Sequence, residues 1–380
     1  MKIAVVSCWF TNNYGSVLQA YATQRYFDEK GMHCDTVSAK SLRPYLIKQK
    51  KRYYLKNIHR LSLLASKYPQ AKLAIIRKLI ASERKAFTNR VAKMNNFRNR
   101  FSFVGENAKT LAEMTEVVKE YDIAVLGGDQ LLRPDNILPS YYTLEWVPDK
   151  VKKVSLATSF GVSELDNASK KHAKLFLPRF SHLSVRENTG CDIIKEVTGQ
   201  TAVQVCDPVF LLKTENWADL ADDSYCPKSD YIFAYFLGTQ KWHREYLKKL
   251  SKETGLPIVN IPCLDSYLPI DKKMDFNCAD ASPEQFLGLI KNAKYVCTDS
   301  FHVTAFSAMF HRDFLVFKRH SGKKYATNSR IDSFLQTLSL QGRCIESIDS
   351  ELPESIDYTG TDDKLNGLIL KTEEYINSWF

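Results

Sequence analysis

Residues 294–317, KYVCTDSFHVTAFSAMFHRDFLVF, bring together side chains that move protons and side chains that hold anions. The stretch reads as a short apolar strand (295–297), a polar corner of Thr298, Asp299, Ser300 and His302, a helix of small residues, and a second strand (314–317). A strand that delivers polar groups onto a helix N-terminus suits an anionic ligand, because unpaired backbone N–H groups and the helix dipole both favour negative charge there. A histidine at that corner exchanges protons near neutral pH. The chemistry indicated is proton transfer on a phosphorylated or carboxylated substrate. A lone histidine is more often structural, but the company of Thr298, Ser300 and Thr304 favours a general acid/base role for His302.

Three aspartates directly follow apolar runs: Asp129 after AVLGG, Asp207 after VQVC and Asp299 after YVCT. Their repeated placement predicts carboxylates collected at one rim. The competing role for each is a helix N-cap or a turn, and Pro208 strengthens that reading for Asp207. Asp129 follows two glycines that let backbone approach a ligand, which makes it the better catalytic candidate. Arg186 ends a strand in SVRENTG. Arg330 lies in ATNSRIDSFLQTL, where Asn328 or Ser329 is placed to cap a helix, and Lys318 and Arg319 follow the strand FLVF. Cations at such corners suit carboxylate and phosphate, although a surface salt bridge is the preferred reading for Arg319. In WFTNNYGSVLQAYATQRYF, Gly15 either admits a phosphate or sugar to a helix start or simply makes a tight turn.

The elements that must position these residues alternate strand and helix almost throughout, which predicts α/β layering on parallel sheets. Strands are expected at 3–7, 34–37, 123–126, 154–157, 183–185 and 202–205, with helices at 16–29, 112–120 and 189–197. A polar break at 212–230 reads as a linker. A second alternation then begins at 231–236, and a last helix at 363–378 is placed to return to the first domain. The fold class expected is α/β, with two Rossmann-like domains facing across a cleft in the manner of glycosyltransferase-B folds. The boundaries are 1–220, 221–350 and a C-terminal helix in 351–380, with a basic helical insertion at about 40–101.

Composition narrows the class. The chain has 380 residues, 44 % hydrophobic and 25 % charged, as expected of a globular protein of two ordinary domains. No apolar run reaches the ~18 residues of a membrane span, and the N-terminus reads as a buried strand rather than a signal peptide, so a cytoplasmic location is expected. Nine cysteines, with no CxxC pair and no zinc-like spacing, point to free thiols and to no bound metal. The net charge of +10 is concentrated: residues 40–101 hold eighteen Lys or Arg and one acid, Glu83, while the rest hold 35 basic and 42 acidic residues. That segment is helical and amphipathic in pattern, suited to peripheral contact with an anionic membrane or to a solvated face packed on the core. Nucleic acid is disfavoured, since no recognition motif accompanies the charge.

Six motifs in order resemble one family. NNYGSVLQAYATQ (12–24), VLGGDQLLRP (125–134), SVREN (184–188), VCDPVFLL (205–212), DSFHVTAFS (299–307) and NSRIDSFLQTLSLQGR (328–343) are similar to those of the polysaccharide pyruvyl transferases. The resemblance implies a two-domain enzyme that moves a pyruvyl group from phosphoenolpyruvate, its donor substrate and not a cofactor, to a sugar of a cell-surface polysaccharide or a lipid-linked precursor. It implies catalytic roles for His302 and Asp129. Substrate contacts are expected from Arg186, Arg330, Lys318, Ser300, Asn13, Tyr14, Gly15 and Gln130. The chain departs from the family pattern at Val303, where glycine is usual, and at Leu132 and Arg133, which replace Trp and Asn. Two alternatives stand beside this reading: a nucleotide-sugar-dependent glycosyltransferase of the same architecture, and a non-catalytic relative that binds polysaccharide or membrane.

Overall fold

The computed structural model describes residues 1–56, 68–137, 140–263, 267–319 and 329–380. Its first sheet is built from β1 (Lys2–Val6), β2 (His33–Val37), β3 (Phe103–Val104), β4 (Ile123–Leu126) and β5 (Lys152–Ser155), in the order β3-β2-β1-β4-β5. Every pairing is parallel, with Ile3 opposite both Cys34 and Ile123. Parallel strands are buried on both faces, which is why β1 and β4 read as unbroken apolar runs. The short pair β6 (Ser184–Val185) and β7 (Val203–Gln204) extends this sheet. Isolated bridges join Asp129 to Thr158 and Thr158 to Val185, and the Ser155 hydroxyl donates to the Ser184 carbonyl at 2.9 Å.

The second sheet comprises β8 (Ile232–Tyr235), β9 (Ile258–Asn260), β10 (Phe276–Asn277), β11 (Tyr295–Thr298), β12 (Asp313–Phe317) and β13 (Cys344–Ile345), in the order β10-β9-β8-β11-β12-β13. It too is wholly parallel. The architecture is thus the two-domain Rossmann-like α/β fold expected from the strand–helix alternation. In each sheet the strand order reverses next to the first strand, between β1 and β4 and between β8 and β11. Ligands of open α/β sheets bind beyond the strand ends at such reversals.

Several elements differ from the sequence reading. The polar segment 212–230 is no free linker: it holds the helix Thr214–Leu220, and Trp217 is fully buried, donating to the Val209 carbonyl at 2.9 Å and meeting Phe306 edge-on. One large aromatic outweighs the surrounding polar residues once it reaches the core. The helix Asn167–Phe176, capped by Asp166, and the two-residue strands β3, β10 and β13 were not anticipated by periodicity.

Residues 40–101 are helical where described, over Arg43–Lys56, Tyr68–Leu79 and Ala81–Arg98; positions 57–67 lie outside the described residues. The third of these helices crosses to the second domain. Buried Arg90 donates to the carbonyls of Ala279 (2.6 Å) and Pro262 (3.1 Å), and Lys93 bonds to Tyr225 and Gln285. The C-terminal helix Thr359–Asn377 returns to the first sheet: the Tyr375 hydroxyl donates to the Ser155 carbonyl at 2.7 Å, and Thr372 accepts from the Cys206 N–H. Among the described residues no helix is long and apolar enough to cross a membrane.

Candidate functional site

Between the two sheet reversals lies a cluster of charged side chains, nearly all of them withdrawn from solvent. From the first domain, β4 ends in Gly127, Gly128 and Asp129. Asp129 adopts φ 81°, a left-handed conformation that aspartate tolerates better than most residues. Gly128 has no room for a side chain, since an added Cβ would lie 2.7 Å from Gln19 Oε1 and 3.1 Å from Arg186 Nη2. The turn therefore brings Asp129 over the start of the helix Tyr14–Glu29, where its Oδ2 accepts from the Ser16 hydroxyl and, at 3.3 Å, from the Cys8 thiol. Its Oδ1 accepts from the Gln130 N–H at 2.8 Å and faces Arg330 Nη1 at 4.0 Å.

Arg186 follows β6, and its Nη2 lies 2.6 Å from Asp207 Oδ2 with both side chains buried. The second domain supplies His302 from the first turn of the helix Phe301–Met309, with Nε2 3.5 Å from the same Asp207 oxygen. Arg330 enters from the helix Ser329–Leu338. The guanidinium carbons of Arg186 and Arg330 stand 4.8 and 5.9 Å from the Phe301 ring, which floors the cluster.

Helix Tyr14–Glu29 passes so close to His302 that a Cβ on Gly15 would sit 2.1 Å from Nδ1. Glycine is required here by approach to the imidazole, not by a turn.

The electrostatics follow from this crowding. Burial pushes the Asp129 carboxyl up, but His302, Arg186 and Arg330 outweigh it and hold the group well below the usual carboxylate range. Asp207 is lowered in the same way: burial opposes ionisation, and Arg186 and His302 overcome it. Glu187, next to Arg186, goes the other way. Burial raises it, although Arg330, Ser159 and Arg186 favour its charged form. Its Oε1 accepts from the Ser159 hydroxyl (2.8 Å) and the Phe160 N–H (3.2 Å). Burial, reinforced by Arg186, lowers Arg330 to about 10.

The most telling property of the cluster is what its polar atoms lack. Among the described residues, Nε and Nη1 of Arg186, Nε of Arg330, Nε2 of Gln130 and Oε2 of Glu187 are buried without a hydrogen-bond partner. Each such orphan costs about 1–3 kcal/mol. Their concentration at one place marks a site shaped for a polar ligand. Most are donors, which suits an anionic group.

Sequence reasoning anticipated part of this site. His302, Asp129, Arg186 and Arg330 come together, with Gly15 against His302. Asn13 instead caps the first helix, accepting from the Ser16 N–H at 3.3 Å. Tyr14, expected to touch substrate, is fully buried between the domains, stacked on Phe286 and donating to the Ala281 carbonyl at 2.7 Å. Gln130 lies beside Asp129, and buried Ser300 caps the His302 helix through its backbone. Lys318 points away from the cluster: it is 47 % exposed and faces Glu346 at 3.7 Å. Asp299 does not join the other two aspartates. Its oxygens accept from the backbone N–H groups of Leu237 and Gly238, both at 2.7 Å, and Arg319 donates to its carbonyl.

Pro208 gives Asp207 the look of a turn residue in the sequence. It does cap Val209, through Oδ1, but its second oxygen serves the cluster. Glu187, Ser16, Cys8 and Phe301 carried no signal of their own beyond adjacency to named residues. The departures from the family pattern are absorbed by packing. Val303 and Leu132 are core residues, and Arg133 bonds to Asp135 and Gln130. No group of His, Cys, Asp and Glu among the described residues is arranged to hold a metal.

The family model for polysaccharide pyruvyl transferases matches residues 13–321. The chain belongs to the polysaccharide pyruvyl transferase family. The match takes in Gly15, Asp129, Arg186, Asp207 and His302, and Arg330 lies just beyond its end. No curated protein matches the sequence of this family member. In three dimensions it is similar to a putative UDP-N-acetylglucosamine 2-epimerase from Listeria monocytogenes, with a TM-score of 0.50 at 9 % identity over 97 % of this chain and 90 % of that one. A UDP-GlcNAc 2-epimerase from Methanocaldococcus jannaschii superposes with a TM-score of 0.47 at 12 % identity, covering 97 % and 92 %. The E. coli ADP-heptose lps heptosyltransferase II gives 0.39 at 12 %, covering 98 % and 100 %. Likeness at such identities concerns the fold alone, and the first of these supports the glycosyltransferase-B-like arrangement of this pyruvyl transferase relative.

Proposed function

We propose that the protein transfers a pyruvyl group from phosphoenolpyruvate to two hydroxyls of a sugar, forming a pyruvate ketal on a polysaccharide or its lipid-linked precursor. The observation that carries this reading is the set of unpartnered buried donors on Arg186, Arg330 and Gln130, gathered beside His302 between the sheet reversals of a member of this family. Phosphoenolpyruvate offers a phosphate and a carboxylate within one small molecule, and two guanidinium groups suit both.

In the proposed reaction, a proton goes to the methylene carbon and leaves an oxocarbenium-like centre at C2. One sugar hydroxyl adds there, and its proton passes to the enzyme. The C2–O bond to phosphate then breaks, and the second hydroxyl closes the ketal. Of the two hydroxyl protons, one ends on the new methyl group and the other on inorganic phosphate, so the process needs no oxidant.

His302 acts as the general acid/base and as partner to the departing phosphate, with Asp207 behind it. Asp129, the more open of the two paired carboxylates at 16 % side-chain exposure, orients the acceptor. The arginines stabilise the charge that develops on phosphate, a task that fixed cations perform without reorganisation.

The nucleotide-sugar alternative gains nothing from the second domain. There the N–H groups of Leu237 and Gly238, placed at a strand end where a diphosphate is usually held, are engaged by Asp299. The deciding experiment incubates the protein with phosphoenolpyruvate and a panel of lipid-linked and nitrophenyl sugars, following phosphate release and product mass. His302→Ala is expected to slow transfer by about 10²–10⁴-fold. Near-normal transfer by that variant would remove His302 from the mechanism, and nucleotide release from a sugar nucleotide would favour the alternative.

A further inference from the structure

The basic segment is divided in its use. Helix Ala81–Arg98 turns Arg90 and Lys93 inward to the second domain, whereas the two helices before it present cations outward. On Arg43–Lys56 the exposed positions Ile47, Lys48, Lys51, Arg52 and Leu55 fall at spacings of one, three and four, so they form a single helical face. On Tyr68–Leu79 the exposed Lys72, Ile75, Lys78 and Leu79 repeat the pattern, opposite buried Leu73.

A merely solvated face carries polar residues throughout. These two carry large aliphatics in their midst: Ile47 is 47 %, Leu55 67 %, Ile75 57 % and Leu79 78 % exposed. Scattered single apolar residues need no explanation, but aliphatics interleaved with like charges do. No acidic residue occurs on either helix, and the one acid of the segment, Glu83, pairs with Lys272.

Cations set among aliphatic side chains match one kind of surface, in which negative headgroups overlie hydrocarbon. Nucleic acid would satisfy the cations and leave the aliphatics in water. We propose that these two helical faces dock the protein on an anionic lipid bilayer, with the lysines and Arg52 at the phosphates and Ile47, Leu55, Ile75 and Leu79 entering the headgroup region. The inference does not depend on the reaction proposed above, and the test below contains no substrate.

The purified full chain is sedimented with vesicles of phosphatidylcholine alone or with phosphatidylglycerol added, at low and at raised salt. Retention on the anionic vesicles only, lost as salt rises, is expected. Lys48→Glu/Lys51→Glu/Arg52→Glu is expected to weaken retention at least about tenfold, since each cation near such a surface contributes severalfold. Leu55→Ser/Ile75→Ser/Leu79→Ser is expected to weaken it at unchanged charge. Both variants change exposed residues, and an unaltered melting temperature verifies their folding. Equal retention on neutral and anionic vesicles overturns the proposal. So does capture by heparin or DNA without retention on vesicles, or full retention by the serine variant. Vesicle binding without pyruvyl transfer refutes only the proposed reaction, and transfer to soluble sugars without vesicle binding refutes only the docking.

Discussion

Gly15 and His302 come from different domains yet meet within the space of one methyl group, so the imidazole takes its place by courtesy of a missing side chain. Gly15→Ala has to displace His302 or the helix start, because its Cβ would lie 2.1 Å from Nδ1 and 2.8 Å from the His302 Cβ. Overpacking of this kind costs typically 1–3 kcal/mol, and the displaced base loses its place in the reaction. We expect the alanine variant to remain folded and to lose at least about a hundredfold in transfer rate, approaching His302→Ala; full activity with an unchanged melting temperature would show that the imidazole position is unimportant. Glu187 allows a pH test. Its folded carboxyl titrates above the ordinary 4.5, so the stability it contributes is complete below that value and is lost as pH rises through the raised one. Asp129 and Asp207 have the opposite sign: their contribution is present above the ordinary 3.8 and disappears as pH falls through their lowered values. Glu187→Gln removes only the first slope. The melting-temperature difference between variant and parent should therefore widen in favour of the variant as pH rises from about 4 through the raised value, and a constant difference would count against a raised Glu187 carboxyl. His302, Asp129, Arg186 and Arg330 were legible in the sequence because each combines a functional residue type with a strand end or a helix start. Glu187 and Asp207 were not. Their side-chain environments are made by residues far away in the chain, and Pro208 supplied a sufficient local reason for Asp207.

At the scale of elements, the long parallel strands could be read within about two residues because a strand buried on both faces is an apolar run bounded by polar turns. A two-residue strand such as β13 has no period to recognise, and only its neighbour β12 defines it. The segment 212–230 misled for a related reason: composition averages over many residues, whereas burial of Trp217 depends on one. The helix Ala81–Arg98 shows what an insertion can do once placed. Arg90 gives two charge-assisted hydrogen bonds to carbonyls of the other domain, each worth about 1.5–3 kcal/mol. Arg90→Ala should lower unfolding stability by roughly 3 kcal/mol, measurable as a shift of the urea midpoint, with transfer activity falling in parallel if the cleft slackens. A midpoint within about 0.5 kcal/mol of the parent would mean that the bonds do not hold the domains.

Over the whole molecule, the expectation of two Rossmann-like domains facing across a cleft agrees with the topology, and both sheet reversals open onto the same cluster. The pairing of the domains was legible in the strand–helix alternation, but no local pattern says that Asp129 and His302, 173 positions apart, will come close enough for one to shift the other. The charge imbalance was legible in full, but not its division between an inward clamp and two outward faces, because charge alone does not reveal direction. The ties across the seam have a further consequence. Tyr14 holds the Ala281 carbonyl, Arg90 holds Ala279 and Pro262, and Arg100 faces Glu284 at 3.4 Å. Separating the domains about a hinge has to break these bonds together. A ligand bound for the cluster therefore reaches it either with all of these bonds in place or after all of them have been broken.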